Sequence, residues 1–191
     1  DPQLQTEFAT EVFMGSRMKC ANCHNHPLDK WTQDDFHGLT AIFAKLTRQR
    51  VIKLNPLGRA IHPNSGEAAQ MKIPGEAFLP AATKDGREAF AKWLTARDNP
   101  YFAKAIVNRL WKSLMGRGLV EPVDDFRSTN PATHPALLNK LAEDFIEHGY
   151  NLRHTLKRIA MSATYARSSV PVKGNETDDR FYSHIIQKPM E

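Results

Sequence analysis

The chain has 191 residues, of which 41% are apolar and 25% charged, a composition typical of a folded globular protein rather than a disordered one. Its 26 lysines and arginines exceed its 21 aspartates and glutamates, and this modest excess favours an acidic partner without requiring nucleic acid. No apolar run approaches the roughly 18 residues of a membrane-spanning helix, so we expect no transmembrane segment in this chain. The two cysteines lie three positions apart, which excludes a scaffold stapled by several disulfides.

The first part of the chain, residues 1–47, predicts two helices. The first helix is predicted from about Leu4 to Lys19, with Phe8, Val12 and Met18 near one face. It runs directly into the segment that holds both cysteines. Thr32 is the predicted N-cap of the second helix, because its hydroxyl can accept a hydrogen bond from the first turn.

A linker is predicted over residues 48–84, where prolines and glycines interrupt every pattern. Residues 51–54 and 59–62 flank an Asn-Pro-Leu-Gly turn, which predicts a short β-hairpin between these two segments. We place the boundary between two domains in this linker.

Residues 85–191 predict a helical bundle. The helices are expected over residues 85–96, from the Asn99-Pro100 cap to Gly116, from the Thr133 cap to Gly149, and from Asn151 onward. The predicted fold class is therefore mainly α, with a helical N-terminal portion, a short hairpin or loop linker and a C-terminal helical bundle.

The cysteines form the motif Cys20-Ala21-Asn22-Cys23-His24, which has the C-x-x-C-H pattern of c-type haem attachment. In that chemistry two thiols add to the two vinyl groups of the haem, and the following imidazole binds the iron. The motif thus predicts one covalent haem c in a cytochrome-c-like portion, with Cys20 and Cys23 as anchors and His24 as the proximal iron ligand.

Three other interpretations of the motif stay open. A zinc ion could be held by Cys20 and Cys23 with His24 or His26, because thiolates three apart suit tetrahedral zinc. A thiol–disulfide redox pair is a second alternative, although the strand–helix pattern of a thioredoxin-like site is missing. Two buried cysteines that act as small apolar side chains are the third.

The sixth iron ligand has two candidates in the sequence. Met71 precedes Pro74 in a loop, and His62 ends a predicted strand; each is also explained as an ordinary core or surface residue. An open sixth position is a further alternative and would favour ligand binding or catalysis.

Two more residues are candidates for the cofactor's surroundings. His26 lies too near His24 to reach the opposite face of the haem, so a hydrogen bond to a ligand is its expected role. Trp31 is a candidate for packing on the porphyrin, with core packing as the alternative.

Charged residues suggest two further features. Arg17, Lys19 and Lys30 could surround an exposed haem edge and guide an acidic redox partner, or they are ordinary solvated charges. The segment Glu121–Arg127 offers paired carboxylates beside an arginine. We interpret it as a structural loop held by ion pairs rather than an acid–base site.

The sequence resembles a pair of families at strings that span nearly the whole chain. Residues 20–27, 29–36 and 38–44 are similar to the planctomycete cytochrome C-type domain. Later strings are similar to its usual partner, the planctomycete PSD domain. They are residues 93–103, 107–111 and 116–127, with Asn130-Pro131 and His134-Pro135. Two positions depart from the pattern, because Leu28 replaces a commoner Phe and His37 stands where Tyr is usual.

The resemblance implies a large exported bacterial protein and hence an extracytoplasmic, periplasmic-type compartment, where c-type haem is attached. We expect the chain to be a piece of such a polypeptide, packed against the rest of it. The leading function is electron transfer through haem c to a redox partner protein. The alternatives are a redox domain of a larger oxidoreductase, such as one acting on carbohydrate, and a non-redox module with a zinc or disulfide site.

Overall fold

The computed structural model describes residues 1–48 and 50–186. The chain forms two compact units, Asp1–Asn99 and Pro100–Glu191. Helices dominate both units, and one two-stranded antiparallel sheet accompanies them in the described residues, which confirms the mainly α fold class. The sequence-based boundaries at residues 47 and 84 differ from this division, and they stay predictions.

Helix α1 spans Pro2–Ala9 and continues as a π-helical turn over Thr10–Met14. Gly15 ends this helix with φ 63°, in the left-handed region where a glycine carries no penalty for a side chain. The prediction that the helix continues to Lys19 is therefore wrong.

The buried face of α1 also differs from the predicted one. Phe8 is 63% exposed, whereas Thr6, Ala9 and Met14 are buried. The hydroxyl oxygens of Thr6 and Thr40 lie 2.9 Å apart in a buried hydrogen bond, so the contact with the next helix is made by small side chains. A large ring such as Phe8 would not fit at so close an approach.

Helix α2 spans Gln33–Ala44 and is the central element of the first unit. The predicted cap is confirmed and forms a full capping box: the Thr32 hydroxyl accepts from the Asp35 N–H, and the Asp35 carboxylate accepts from the Thr32 N–H. Nearly every residue of α2 is buried, because α1 and the long segment after the hairpin both pack against it.

The β-hairpin pairs strand β1, Leu46–Arg48, with strand β2, Ile52–Leu54. The predicted partner of β2, residues 59–62, is thus wrong, and Ile61 instead forms an isolated bridge with Ala68. The reason lies in the turn after β2. The Asn55 N–H donates to the Lys45 carbonyl at 2.6 Å, which extends the pairing back toward α2.

Helix α3, Arg87–Leu94, belongs to the first compact unit. Its buried Phe90 meets Phe43 of α2 edge to face, with ring centroids 6.2 Å apart.

The second unit consists of α4 (Phe102–Met115), α5 (Pro135–Glu147) and α6 (Leu152–Ala160). The three helices enclose an apolar core that includes Val107, Trp111, Leu138, Phe145 and Ile159. No helix within residues 1–48 and 50–186 is long and apolar enough to cross a membrane.

The predicted helix ends in the second unit are partly right. Gly116 ends α4 with φ 83°, and the Asn151 side chain caps α6 by accepting from the His154 N–H. Two predicted N-caps are wrong. Helix α4 begins after Tyr101 rather than at Asn99-Pro100, and α5 begins after His134 rather than Thr133.

Thr133 does not cap α5 because its polar groups form hydrogen bonds with the chain after α4. Its N–H and its hydroxyl both donate to the Leu119 carbonyl, at 2.8 and 3.3 Å. This fixes the loop before α5 against the chain that follows α4.

Candidate functional site: the cysteine turn

The C-x-x-C-H motif forms a tight turn, here called the cysteine turn and comprising residues 19–24. Lys19–Asn22 is one 3-10 turn, and the N–H groups of Cys23 and His24 both donate to the Cys20 carbonyl at 3.3 Å. Both thiols are exposed and unbonded. The interpretation of the cysteines as buried apolar residues is therefore wrong.

His24 is exposed, and its ring is oriented by one hydrogen bond. Its Nδ1 lies 2.8 Å from the Asn25 carbonyl oxygen. A carbonyl can only accept, so Nδ1 carries the hydrogen, and in the neutral ring Nε2 keeps its lone pair. This is the arrangement in which a histidine can bind a metal through Nε2.

Helix α2 holds the cysteine turn and the residue after it through hydrogen bonds that do not involve the thiols. The Asn22 carbonyl accepts from His37 Nε2 at 2.8 Å, and the Asn25 side-chain oxygen accepts from the Gln33 N–H at 3.1 Å. Beyond the turn, the His26 N–H donates to the Trp31 carbonyl at 2.8 Å. These hydrogen bonds within the protein therefore position the cysteine turn without a cofactor.

Asp35 ties the same end of α2 to the segment that follows the hairpin. Its carboxylate is 4% exposed and accepts from Lys72 Nζ and from the Gly75 N–H, besides the capping bonds from Thr32. Burial alone raises the pKa of Asp35, but the hydrogen bonds from Lys72, Gly75 and Thr32 outweigh it, and the net pKa lies below its ordinary value. The carboxylate therefore stays ionised.

His37, the departure from the family pattern, is a buried support of the turn. It is 2% exposed, and burial lowers its pKa below the ordinary histidine value. Since its Nε2 donates to a carbonyl, the neutral ring has its lone pair on Nδ1, a buried atom with no hydrogen-bond partner. His37 therefore acts through the Asn22 carbonyl rather than as an exposed ligand.

His62 lies next to His37 on the side of α2. The two ring centroids are 5.1 Å apart, and His62 Nε2 is 3.2 Å from Asp34 Oδ1. His62 Nδ1 accepts from the Asn64 N–H at 3.3 Å. In the neutral ring Nε2 therefore carries the hydrogen, and within the described part of the chain it makes no hydrogen bond although Asp34 is near. No hydrogen bond or ring contact among the described residues joins His62 to His24.

Met71 and Trp31, the other candidates for contact with a haem, are core residues. Met71 is 8% exposed and Trp31 is 1% exposed. The ammonium group of Lys30 lies 5.0 Å from the centre of the Trp31 ring. His26 is half-buried, and its Nδ1 accepts from the Leu28 N–H at 3.2 Å.

The thiols and imidazole of the turn do not converge on one point. Within residues 1–48 and 50–186, the group of His, Cys, Asp or Glu side chains close enough together to hold a metal ion is Asp144, His148 and His154. Cys20, Cys23 and His24 do not form such a group.

The charges predicted to surround the motif lie on the surface. Arg17, Lys19 and Lys30 are exposed, and Lys19 Nζ approaches the Glu7 carboxylate at 3.7 Å. An ion pair this exposed contributes little stability.

The acidic segment of the second unit is a structural loop. The Glu121 carboxylate accepts from Lys112 Nζ at 2.6 Å and from the Gly118 N–H at 2.9 Å, while Asp125 is paired with Arg127. Burial raises the pKa of Glu121, but the contacts with Lys112 and Gly118 outweigh it and leave the net pKa below its usual value. Each of these two carboxylates has its own cation, as expected for an ion-paired loop.

The sequence reasoning missed Gln33 and Asp35 as supports of the site. A signal for Asp35 was present, because Thr32-Gln-Asp-Asp35 is a capping-box pattern. No local pattern could have indicated its bonds to Lys72 and Gly75, which lie 37 and 40 residues further along the chain.

These features define a mainly α protein that presents an exposed C-x-x-C-H turn on a capped helix. Residues 86–191 match the family model PSD1, described as a protein of unknown function (DUF1553), and residues 1–48 match PSCyt2, described as a protein of unknown function (DUF1549). The first match covers more than half of the sequence, and the chain belongs to the PSD1 family. No curated protein and no solved structure matches the sequence.

Proposed function

We propose that the chain binds one haem c through the cysteine turn and transfers electrons to a partner protein. The observation that supports this proposal is that all three motif side chains are exposed and available for bonding. Cys20 and Cys23 are exposed and unbonded, and the His24 ring is held so that Nε2 has its lone pair.

The donor set fits covalent haem attachment. Each thiol would add its sulfur and its hydrogen across one vinyl double bond, so that nothing is lost from the haem or the protein. These two bonds are made at the edge of the macrocycle and only His24 binds the iron, so the thiols need not converge on the metal. Haem so bound supplies a reversible one-electron carrier.

We propose an open sixth iron position. Met71 is buried, and His62 Nδ1 accepts from the Asn64 N–H, so in the neutral ring Nε2 beside Asp34 carries the hydrogen. An iron on His24 could use His62 only if Nε2 lost its hydrogen, and Met71 only if the haem reached this buried side chain. An open position needs no such rearrangement, and it would also suit the redox domain of a larger oxidoreductase.

The partner and the compartment follow from the same proposal. Haem c is attached outside the cytoplasm, so we propose an extracytoplasmic, periplasmic-type location. The exposed Arg17, Lys19 and Lys30 favour an acidic redox partner. Electron transfer to that partner should slow as salt increases.

The test is to produce the protein in an export pathway with c-type haem maturation. We expect an intact mass about 616 Da above that of the polypeptide. We also expect a reduced α-band after dithionite, with the haem retained after acid–acetone extraction. Carbon monoxide should shift the reduced spectrum at once if the sixth position is open.

Variants separate the roles of the motif residues. Cys20→Ala with Cys23→Ala should abolish the covalent mass increase, and His24→Ala should change the spectrum of any haem that is attached. His148→Ala, which removes an exposed imidazole of the second unit, is the control and should keep both mass and spectrum. A colourless product with one zinc per chain would instead support the non-redox module.

A further inference from the structure

We infer that the second unit carries a binding site for a late divalent transition metal, represented by Zn²⁺, at Asp144, His148 and His154. This inference is independent of the proposed haem. One potential ligand atom from each of the three side chains lies within 4.8 Å of the other two. Asp144 and His154 are half-buried, and His148 is exposed.

The end of α5 and the start of α6 bring these residues together. Asp144 and His148 are four positions apart, so they share one face at the last turn of α5. The chain then reverses through Gly149 and Tyr150, which both have left-handed φ values near 60°. Asn151 caps α6, and this places His154 in its first turn.

The contacts centre on the Asp144 carboxylate. His154 Nε2 lies 2.8 Å from Oδ2, and His148 Nδ1 lies 3.6 Å from Oδ1. His148 Nδ1 is also 2.8 Å from the Asp144 carbonyl oxygen. The two imidazoles stack, with centroids 3.7 Å apart and planes 13° apart.

Metal binding requires a small local opening of this arrangement. With metal–ligand bonds of about 2.0–2.1 Å in a tetrahedron, ligand atoms sit roughly 3.3 Å apart, so the His154–Asp144 pair must widen by about 0.5 Å. Lone pairs lie in the plane of an imidazole, so the stacked rings must also splay to face one ion. His154 Nε2 donates to the Asp144 carboxylate in the metal-free protein, so its hydrogen must move to Nδ1 or to solvent when the metal binds. His148 is exposed, so solvent leaves room for its ring to move.

The donor types select the metal. Two imidazoles and one carboxylate suit Zn²⁺ or Cu²⁺, whereas Mg²⁺ and Ca²⁺ prefer a shell of oxygens. Three protein ligands at a half-exposed site leave the fourth position of Zn²⁺ to water. Arg158 opposes the metal, because its Nε lies 3.9 Å from Asp144 Oδ1 and competes for that carboxylate.

The experiment is calorimetric titration of the haem-free chain with Zn²⁺, repeated with Co²⁺ as a spectroscopic probe. We expect one Zn²⁺ per chain and a Co²⁺ spectrum without thiolate charge transfer, which separates this site from the cysteines. His148→Ala or His154→Ala should weaken Zn²⁺ binding at least about tenfold, since losing even a hydrogen bond to a ligand costs about 10–100-fold. Asp144→Asn should weaken it as well.

Two further variants make the result specific. Glu143→Gln changes the neighbouring exposed carboxylate and should leave Zn²⁺ binding unchanged. Arg158→Gln should tighten it, because the competing cation is removed. Circular dichroism of each metal-free variant checks that α5 and α6 are retained. Absence of Zn²⁺ binding by the wild-type chain, or binding that survives the double change His148→Ala and His154→Ala, would overturn the inference.

Discussion

The two compact units are stabilised by different kinds of buried group. In the first unit the central helix α2 buries several polar side chains, including Asp35, His37 and Thr40. In the second unit α4, α5 and α6 enclose a mainly apolar cluster, where Asn108 and Thr155 are among the few fully buried polar residues. The unit that carries the cysteine turn therefore has more of its buried side chains held by directional hydrogen bonds.

This difference has a cause in the chain between the hairpin and α3. Residues 55–86 contain no helix, so their backbone groups need partners from elsewhere. Asp35 accepts from the Gly75 N–H, and Gln33 accepts from the Asn64 side chain at 2.6 Å. Gln33 also lies beside the cysteine turn, because its N–H donates to the Asn25 side chain and its side-chain amide approaches the Asn22 carbonyl. Stability and site geometry are thus coupled in the first unit.

The largest effect is expected from Asp35→Asn. The change removes the charge that pairs with the half-buried Lys72, and breaking a buried ion pair at one partner costs about 3–5 kcal/mol. Hydrogen exchange measured by mass spectrometry should show faster exchange across α2 and residues 70–76, with peptides from α4 to α6 unchanged.

The neighbouring carboxylate provides the control for that change. Asp34 is 55% exposed, so Asp34→Asn should alter the free energy of unfolding by less than about 1 kcal/mol. Equal effects of the two substitutions would show that the buried network around Asp35 does not hold the first unit together.

Acid should weaken the first unit through the same residue. The pKa of folded Asp35 lies below its ordinary value, so folding favours the ionised form. Its contribution is complete above about pH 4–5, near the unfolded pKa, and is lost as the pH falls through the folded pKa. Wild type should therefore lose unfolding free energy on acidification more steeply than Asp35→Asn. Parallel slopes in the two proteins would contradict this.

A smaller effect is expected from Asn108→Ala in the second unit. The Asn108 side chain donates to the Val120 carbonyl at 2.8 Å and accepts from its N–H at 3.0 Å, and all these groups are buried. Leaving them unpaired should cost about 1–3 kcal/mol. Chemical denaturation of this variant should be compared with that of Asn139→Ala, which lies on an exposed position of α5 and should change stability by less than about 0.5 kcal/mol.

Local sequence patterns were sufficient for much of the fold. The Thr32 cap, the end of α4 at Gly116 and the cap of α6 at Asn151 all follow from chemistry within one helical turn. Prediction failed where a distant group decided the outcome. Thr133 donates to the Leu119 carbonyl instead of capping α5, and Phe8 is exposed because a contact between two threonines sets the face of α1.

The candidate site divides in the same way. The spacing of Cys20, Cys23 and His24 was visible in the sequence, and the turn that displays them needs only local bonds. The supports of that turn include Gln33 and His37, whose hydrogen bonds span 8–15 residues. The positions of Met71 and His62 depend on how residues 55–86 fold back on α2. No local sequence pattern predicts that path of the chain.

The smallest effect is expected from the cap of α6. The Asn151 side chain accepts from the His154 N–H at 3.1 Å, so Asn151→Ala should cost about 1 kcal/mol, whereas Asn151→Gly should cost only a few tenths. Thermal melts of the two variants provide the measurement. Because the same cap positions His154 beside Asp144, Asn151→Ala should also weaken Zn²⁺ binding, while Asn151→Asp keeps a capping acceptor and should preserve it. If Asn151→Ala melted like the wild type, packing alone rather than the cap would order the start of α6. The second unit would then depend still less on polar contacts than its apolar core indicates.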